Sequence, residues 1–122
     1  MAEMLKPDEA RKLLQEFVQN DPETEGAAFI TLDGLAVASV FKEEVDDDEL
    51  AAMGAALIGI AERVANDLGR GNPDQIILKG TKGYTLVRRV GDLGALVVMT
   101  TAKARLGMVF YNMKAVAKAF ES

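Results

Sequence analysis

The sequence predicts an α+β fold: one five-stranded antiparallel sheet with helices on both faces, in the order α-β-β-α-β-β-β-α. Two observations carry this. Three long segments repeat apolar residues at steps of three and four, the spacing that lines one side of an α-helix. Between them lie five short apolar runs, and those adjacent in sequence are joined by short turns, which makes them antiparallel neighbours. Long amphipathic helices bury their stripes against such a sheet, giving a layered sandwich. The chain has 122 residues and shows no linker, internal repeat or low-complexity tract, so we expect one domain over 1–122 with a core from about 7 to 120.

The first helix spans 6–20. Pro7 suits the first helical position, and Asp8 and Glu9 suit the positive end of the helix dipole. Ala10, Leu13, Leu14, Phe17 and Val18 form its stripe, and Asn20-Asp21-Pro22 ends it. Two apolar runs, 27–32 and 35–41, flank Asp33-Gly34, a strong hairpin signal in which both turn residues are expected at positive φ. Neither run alternates apolar with polar, so both strands are expected to be covered on both faces. Further strands fall at 75–79, 84–90 and 95–100, with turns at Lys79–Gly83 and Gly91–Gly94. Arg88 and Arg89 point to opposite faces of one strand, so at least one should meet a helix or an interface and pair there with Asp or Glu. The closing helix spans 104–120, with a stripe of Leu106, Val109, Phe110, Met113, Val116, Ala117 and Phe120.

The helix over 46–68 has too little polar surface. Leu50, Met53, Leu57, Ile60, Val64 and Leu68 recur at helical steps and are assigned to the core. At about 100° per residue, the opposite side holds Ala51, Ala55, Ile58, Gly59 and Glu62, and no residue from 51 to 61 carries a charge or a polar side chain. A helix apolar nearly all round is normally buried all round. A second copy of the chain, or a partner, is the expected cover, with self-association favoured because the small residues at four-residue steps let another backbone come close. The alternative is that this side packs under a loop of the same chain. Gly69 is placed as the C′ cap, and Gly71-Asn72-Pro73 forbids continuation.

Composition removes most catalytic chemistry. There is no histidine and no cysteine, which excludes Ser-His-Asp and Cys-His arrangements, the usual zinc sites and disulfides. Serine occurs only at Ser39 and Ser122, and no stretch matches a phosphate-binding loop. Gly69-Arg70-Gly71 follows a helix instead of a strand, so a helix cap explains it better than a dinucleotide loop. Six of the seven residues from 43 to 49 are acidic, but without the alternate-position ligands and central glycine of a calcium loop. Their reading is a helix N-terminus, where carboxylates are favourable. Lys103 and Arg105, at the start of the last helix, are read as solvated. We therefore expect no enzyme, no metal and no cofactor. A net charge of −5 argues against nucleic acid. The uncharged run 51–61 is too short to span a bilayer, which takes about 20 residues. The first residues show no apolar signal-peptide core. The expectation is a cytoplasmic protein without membrane insertion.

The order of elements and several phrases resemble the Roadblock family, named for a dynein light chain. The phrases are EGAAFITLDGLAVAS, the small-residue helix ending VANDLGRG, QIILKGTKGYTLVRRVGDLGALVVMT and the closing ARLGMVFYNM, so that the likeness covers about residues 10 to 120. The resemblance implies a Roadblock-like, profilin-like sandwich of the prokaryotic stand-alone kind. It implies a homodimer, or a heterodimer with a paralogue, in which edge strands join into one long sheet and central helices lie side by side. Mapped onto this chain, the edge strand is Gln75, Ile76, Ile77, Leu78 and Lys79. The family lacks a shared catalytic residue. Its members regulate or scaffold Ras-like small GTPases, so the resemblance implies such a partner and modulation of its GTPase cycle or localisation. Arg63, Arg70, Asp47 and Asp48 become candidate partner contacts around the helix face. The rival expectation is a PAS- or GAF-like small-molecule sensor, which also uses an antiparallel sheet with flanking helices but needs convergent polar groups in a pocket. None is evident among these residues.

Overall fold

The computed structural model describes residues 6–121; residues 1–5, part of the stretch from which no signal peptide is expected, lie outside them. The elements run α1 (Pro7–Gln19), β1 (Thr24–Ile30), β2 (Ala36–Phe41), α2 (Asp47–Asp67), β3 (Ile76–Lys79), β4 (Gly83–Val90), β5 (Gly94–Thr101) and α3 (Leu106–Glu121). This is the expected order. The strands form one sheet in the order β2-β1-β5-β4-β3, and every pairing is antiparallel. The strands joined by short turns pair (β1 with β2, β3 with β4, β4 with β5), while β1 closes on β5 and sits inside the sheet. The run that forms β1 is accordingly buried on both faces; β2, at one edge, is only half-buried along its length. The opposite edge is β3.

Pro7 opens α1, and the expected stripe turns inward, with Ala10, Leu14, Phe17 and Val18 buried. On the same face of the sheet α3 buries Val109, Met113, Ala117 and Phe120. The two helices close over Ala27 and Phe29 of β1, Leu86 and Val90 of β4, and Leu96 and Val98 of β5. Phe29 and Phe120 stack there with ring centroids 4.4 Å apart and planes 10° apart. The other face carries α2 alone. There Leu50, Ala51 and Ile58 pack on Ala28, Ile30, Val87, Ala95 and Val97.

Each end of α2 is set by its sequence. Asp46 accepts the Glu49 backbone N–H at 3.1 Å, a side-chain N-cap. At the other end Gly69 takes φ +70°, its N–H bonds the Asn66 carbonyl, and the Arg70 N–H bonds the Ala65 carbonyl. That pair of bonds is a Schellman motif, which needs a left-handed residue at the turn. The β1–β2 turn differs from expectation. Gly34 has φ +95°, but among the described residues no non-glycine has positive φ, Asp33 included. The Gly34 N–H bonds the Thr31 carbonyl, and the Thr31 hydroxyl accepts the Leu35 N–H. Thr31 thus holds the turn from its side chain, and Gly34 alone takes the left-handed position.

Two glycines of α2 have opposite roles. A Cβ on Gly54 would stand 2.8 Å from Ile30 Cδ1 and 3.2 Å from Val97 Cγ2, so the helix lies closer to the sheet there than a side chain allows unless Ile30 and Val97 give way. A Cβ on Gly59 would meet nothing within 4 Å. Gly54→Val is expected to cost about 3 kcal/mol through overpacking. Gly59→Ala is expected to add up to about 1 kcal/mol by raising helix propensity. Urea titration of each variant reads both signs.

Candidate interaction surface

The side of α2 that meets the sheet is the small one. Ala51 is fully buried and Ile58 is 5% exposed, both within their own chain. Ala55 is half-buried beneath the β1–β2 turn: a Cβ on Gly34 would stand 3.7 Å from it and 3.4 Å from the Ala52 backbone. The assignment of Ala51, Ala55 and Ile58 to a contact between copies is therefore corrected. Ala51 and Ile58 hold α2 to its own sheet, and the alternative covering by a loop of the same chain applies to Ala55, beneath the β1–β2 turn. Glu62 also turns inward, and Gly59 is exposed.

The stripe assigned to the core takes the outer position instead. Leu50 is buried and Leu57 half-buried, but Met53, Ile60, Val64 and Leu68 are exposed by 55%, 62%, 51% and 67%. The physical reason is fit. The sheet presents branched side chains, Ile30, Val87 and Val97, and the helix approaches them through Gly54 and Ala51. A side lined by Met53, Ile60 and Val64 would hold the helix farther off and leave those residues loosely packed.

Beside this exposed flank runs a groove of about 390 Å³, floored by Val87, Val97, Thr85 and Met99, walled by Met53 and Leu57 of α2 and closed outward by Leu78 of β3. Leu78 lies opposite Thr85, and Thr85 opposite Met99, in one cross-strand row. The strand that borders the groove has a free edge, since β3 pairs with β4 alone among the described residues. Such an edge carries unpaired N–H and C=O groups and is a template for another strand. Lys79, the last of the five expected edge residues, ends β3 and is exposed; the other four divide as follows. Ile77 and Leu78 are about half-exposed on opposite faces of the strand. Ile76 packs partly under α2. Gln75 is half-buried just before the strand, and its Oε1 is buried without a hydrogen-bond partner.

The charged residues form a rim. Arg89 donates to Glu62 at 2.8 Å and to Asp92 at 3.2 Å, so the strand arginine finds the helix carboxylate that its position required. The Glu62 hydrogen bond, ahead of the other influences, raises the Arg89 pKa, which leaves the guanidinium cationic wherever the protein is folded. The pair is about one-third exposed (37% and 31%), so Glu62→Gln is expected to cost under about 1 kcal/mol, and less at high salt. Thermal unfolding at two salt concentrations checks this.

Arg63 is 85% exposed and reaches Asp67 at 3.8 Å along the helix, a weak surface pair. Arg70 folds back onto the Leu68 carbonyl at 3.1 Å and is exposed. Asp47 accepts from the Ser39 hydroxyl at 3.3 Å, while Asp48 is exposed. Asp46, Asp47 and Asp48 come together at the start of α2, where the dipole favours them and Asp46 serves as the cap. Arg63 shares the outermost side of α2 with Ala52, Ala56 and Gly59, all exposed. Lys103 and Arg105 are exposed and form no salt bridge among the described residues. No helix of the described residues is long and apolar enough to cross a membrane.

Comparison with known proteins bears on this surface. The sequence profile of the Roadblock/LC7 domain matches residues 11–100. An uncharacterised protein of Methanocaldococcus jannaschii is 39% identical over 93 residues, covering 76% of this chain and 81% of that protein. The Roadblock/LC7 domain from Streptomyces avermitilis superposes with a TM-score of 0.83 at 22% identity, over 89% of this chain and 92% of that one. A structure described as MglB with tetrameric arrangement superposes with a TM-score of 0.86 at 21% identity, over 99% and 92%. At these identities the two structures establish the fold, and the profile match and the archaeal relative establish kinship. This chain belongs to the Roadblock/LC7 domain family.

Proposed function

We propose that the protein is a non-catalytic, dimer-forming regulator or scaffold, acting as one domain in the cytoplasm, that binds a Ras-like small GTPase and modulates its GTPase cycle or localisation. One observation carries the reading: Met53, Ile60 and Val64 stand exposed beside a groove whose far wall is the unpaired edge β3. Contiguous exposed apolar surface of this kind marks an interaction site. A second copy, or a paralogue, satisfies both features at once. Its own β3 takes up the free edge and extends the sheet through Ile76, Ile77 and Leu78. Its α2 fills the groove against Met53, Leu57 and Ile60. The tetrameric arrangement named for MglB is in keeping with self-association in this fold.

The second copy covers the flank of α2 and leaves its outermost side, with Ala52, Ala56, Gly59 and Arg63, for a third molecule. Asp48 stands at the start of that side and Arg70 just beyond the other end of the helix, while Asp47, the other candidate contact, turns toward Ser39 of β2. The GTPase enters through the resemblance of the family, and its docking is assigned to this doubled helix surface. Sedimentation at micromolar concentration should show a dimer. Pull-downs with GTP- and GDP-loaded Ras-like GTPases from the same cell should retain at least one state, and Arg63→Glu should weaken that retention. A stable monomer contradicts the dimer. A dimer that binds neither nucleotide state contradicts the partner.

A further inference from the structure

On the α3 side of the sheet, the outer flank of α3 and the end of β4 border a shallow basin of about 610 Å³, lined by Arg88, Tyr111, Lys114, Lys118 and Glu121, and reached also by Arg89, which pairs with Glu62 on the α2 side. Arg89 is already neutralised by Glu62 and Asp92. Arg88, Lys114 and Lys118 form no salt bridge among the described residues, so three unpaired cations face one acid in a chain of net charge −5. Tyr111 stands 74% exposed at the border, with an apolar ring and a hydroxyl to offer. Lys114 and Lys118 are one helical turn apart, about 6 Å along the axis, which suits a row of negative charges better than a single phosphate.

The chain itself carries such a row. Glu43, Glu44 and Asp48 are exposed and form no salt bridge among the described residues. Residues 44–46 run without helix or bend into the Asp46 cap, itself extended in backbone. In extended backbone, alternate residues such as Glu44 and Asp46 stand about 6–7 Å apart, the spacing of the two lysines. The acids lie on the α2 side of the sheet and the basin on the α3 side, so no copy can fill its own basin. We propose that the acidic segment 43–48 of one copy docks in the Arg88–Lys114–Lys118 basin of another. The contact is heterologous and therefore repeats, stacking copies into larger assemblies. Val45 and Asp46 of this segment border one end of the groove beside α2, but the basin that receives it lies on the other layer and the free edge of β3 is not used.

Sedimentation velocity at high micromolar protein tests this at about 0.1 M and about 1 M salt, where the screening length falls from about 10 Å to about 3 Å. The weight-average mass should be at least about twofold larger at the lower salt, although copies of net charge −5 otherwise repel most strongly there. An apolar α2–β3 dimer persists at both salts, which separates the two contacts. Lys114→Glu with Lys118→Glu should abolish the low-salt growth, as should Glu43→Lys with Glu44→Lys. Combining all four changes in one chain should restore it. The charge-matched control Lys82→Glu with Lys103→Glu should leave it intact. No growth at low salt overturns the proposal, as does growth that survives either charge-reversed pair or fails to return in the fourfold variant. An acidic protein or a small anion occupying the basin instead gives that result.

Discussion

Ile60→Asp is expected to leave the chain folded and to break the dimer. Ile60 is mostly exposed in the single chain, so its removal should change monomer stability by no more than about 0.5 kcal/mol. In a symmetric pair it is buried twice. Fully burying one such side chain contributes about 1.5–3 kcal/mol; Ile60 is 62% exposed in the single chain, so two copies lose at least about 2 kcal/mol, before any cost of enclosing the new carboxylates. At about 1.4 kcal/mol per tenfold, the dissociation constant should rise at least ~30-fold. Sedimentation equilibrium measures the association, and urea unfolding at a concentration where wild type is also monomeric measures the fold. A dimer of unchanged affinity would mean that this flank of α2 faces solvent in the assembly.

Ile58→Asp, only two positions away, is expected to behave in the opposite way. Ile58 is enclosed by its own chain, packed with Ala28, Ile30 and Val97 beneath α2. Substitution loses the apolar burial and places an unpaired carboxylate against the sheet. Losses above about 4 kcal/mol arise from that kind of change, a large share of the roughly 5–15 kcal/mol that holds a domain together. The variant should lose its cooperative unfolding transition or melt far below wild type. Ile58→Ala, which leaves only a cavity, should stay folded at a cost of about 3 kcal/mol. Circular dichroism with thermal melting of both variants gives the comparison. Full stability of Ile58→Asp would show α2 turned over on the sheet.

The contrast between Ile58 and Ile60 is also where the sequence was hardest to read. The stripes of α1 and α3 are legible because each helix has one apolar and one polar side, and burial follows the pattern. Turns, caps and the antiparallel pairing of neighbours are legible because Gly34, Asp46, Gly69 and Pro7 have local mechanisms. In α2 the period gives the spacing but not the direction. Both sides are apolar from 51 to 61, and the larger residues look like the core by area alone. The deciding quantity is distance to a sheet of branched side chains, which Gly54 sets and which no periodicity reports. One clue was available. Glu62 lies on the small side, and Arg89 on its strand needed a carboxylate from a neighbouring element. Pairing them turns the helix the right way. The turn at Asp33-Gly34 escaped in a smaller way, because the Thr31 side chain takes over bonding that the dipeptide alone does not specify.

A cysteine scan along β3 measures the central claim most directly, since the chain has no cysteine of its own. Single substitutions at Ile76, Ile77, Leu78 and Lys79 place a thiol at each position of the free edge in turn. If two copies join through β3, at least one position brings the two Cα atoms within the roughly 4.4–6.8 Å that a disulfide spans. Mild oxidation should then convert that variant to a covalent dimer in high yield, while Lys118→Cys on the opposite layer should not form that dimer. Adding Ile60→Asp to the cross-linking variant should sharply reduce the yield. Failure of all four positions to cross-link above the Lys118→Cys level, under conditions where the protein sediments as a dimer, would contradict the account and move the contact away from α2 and β3.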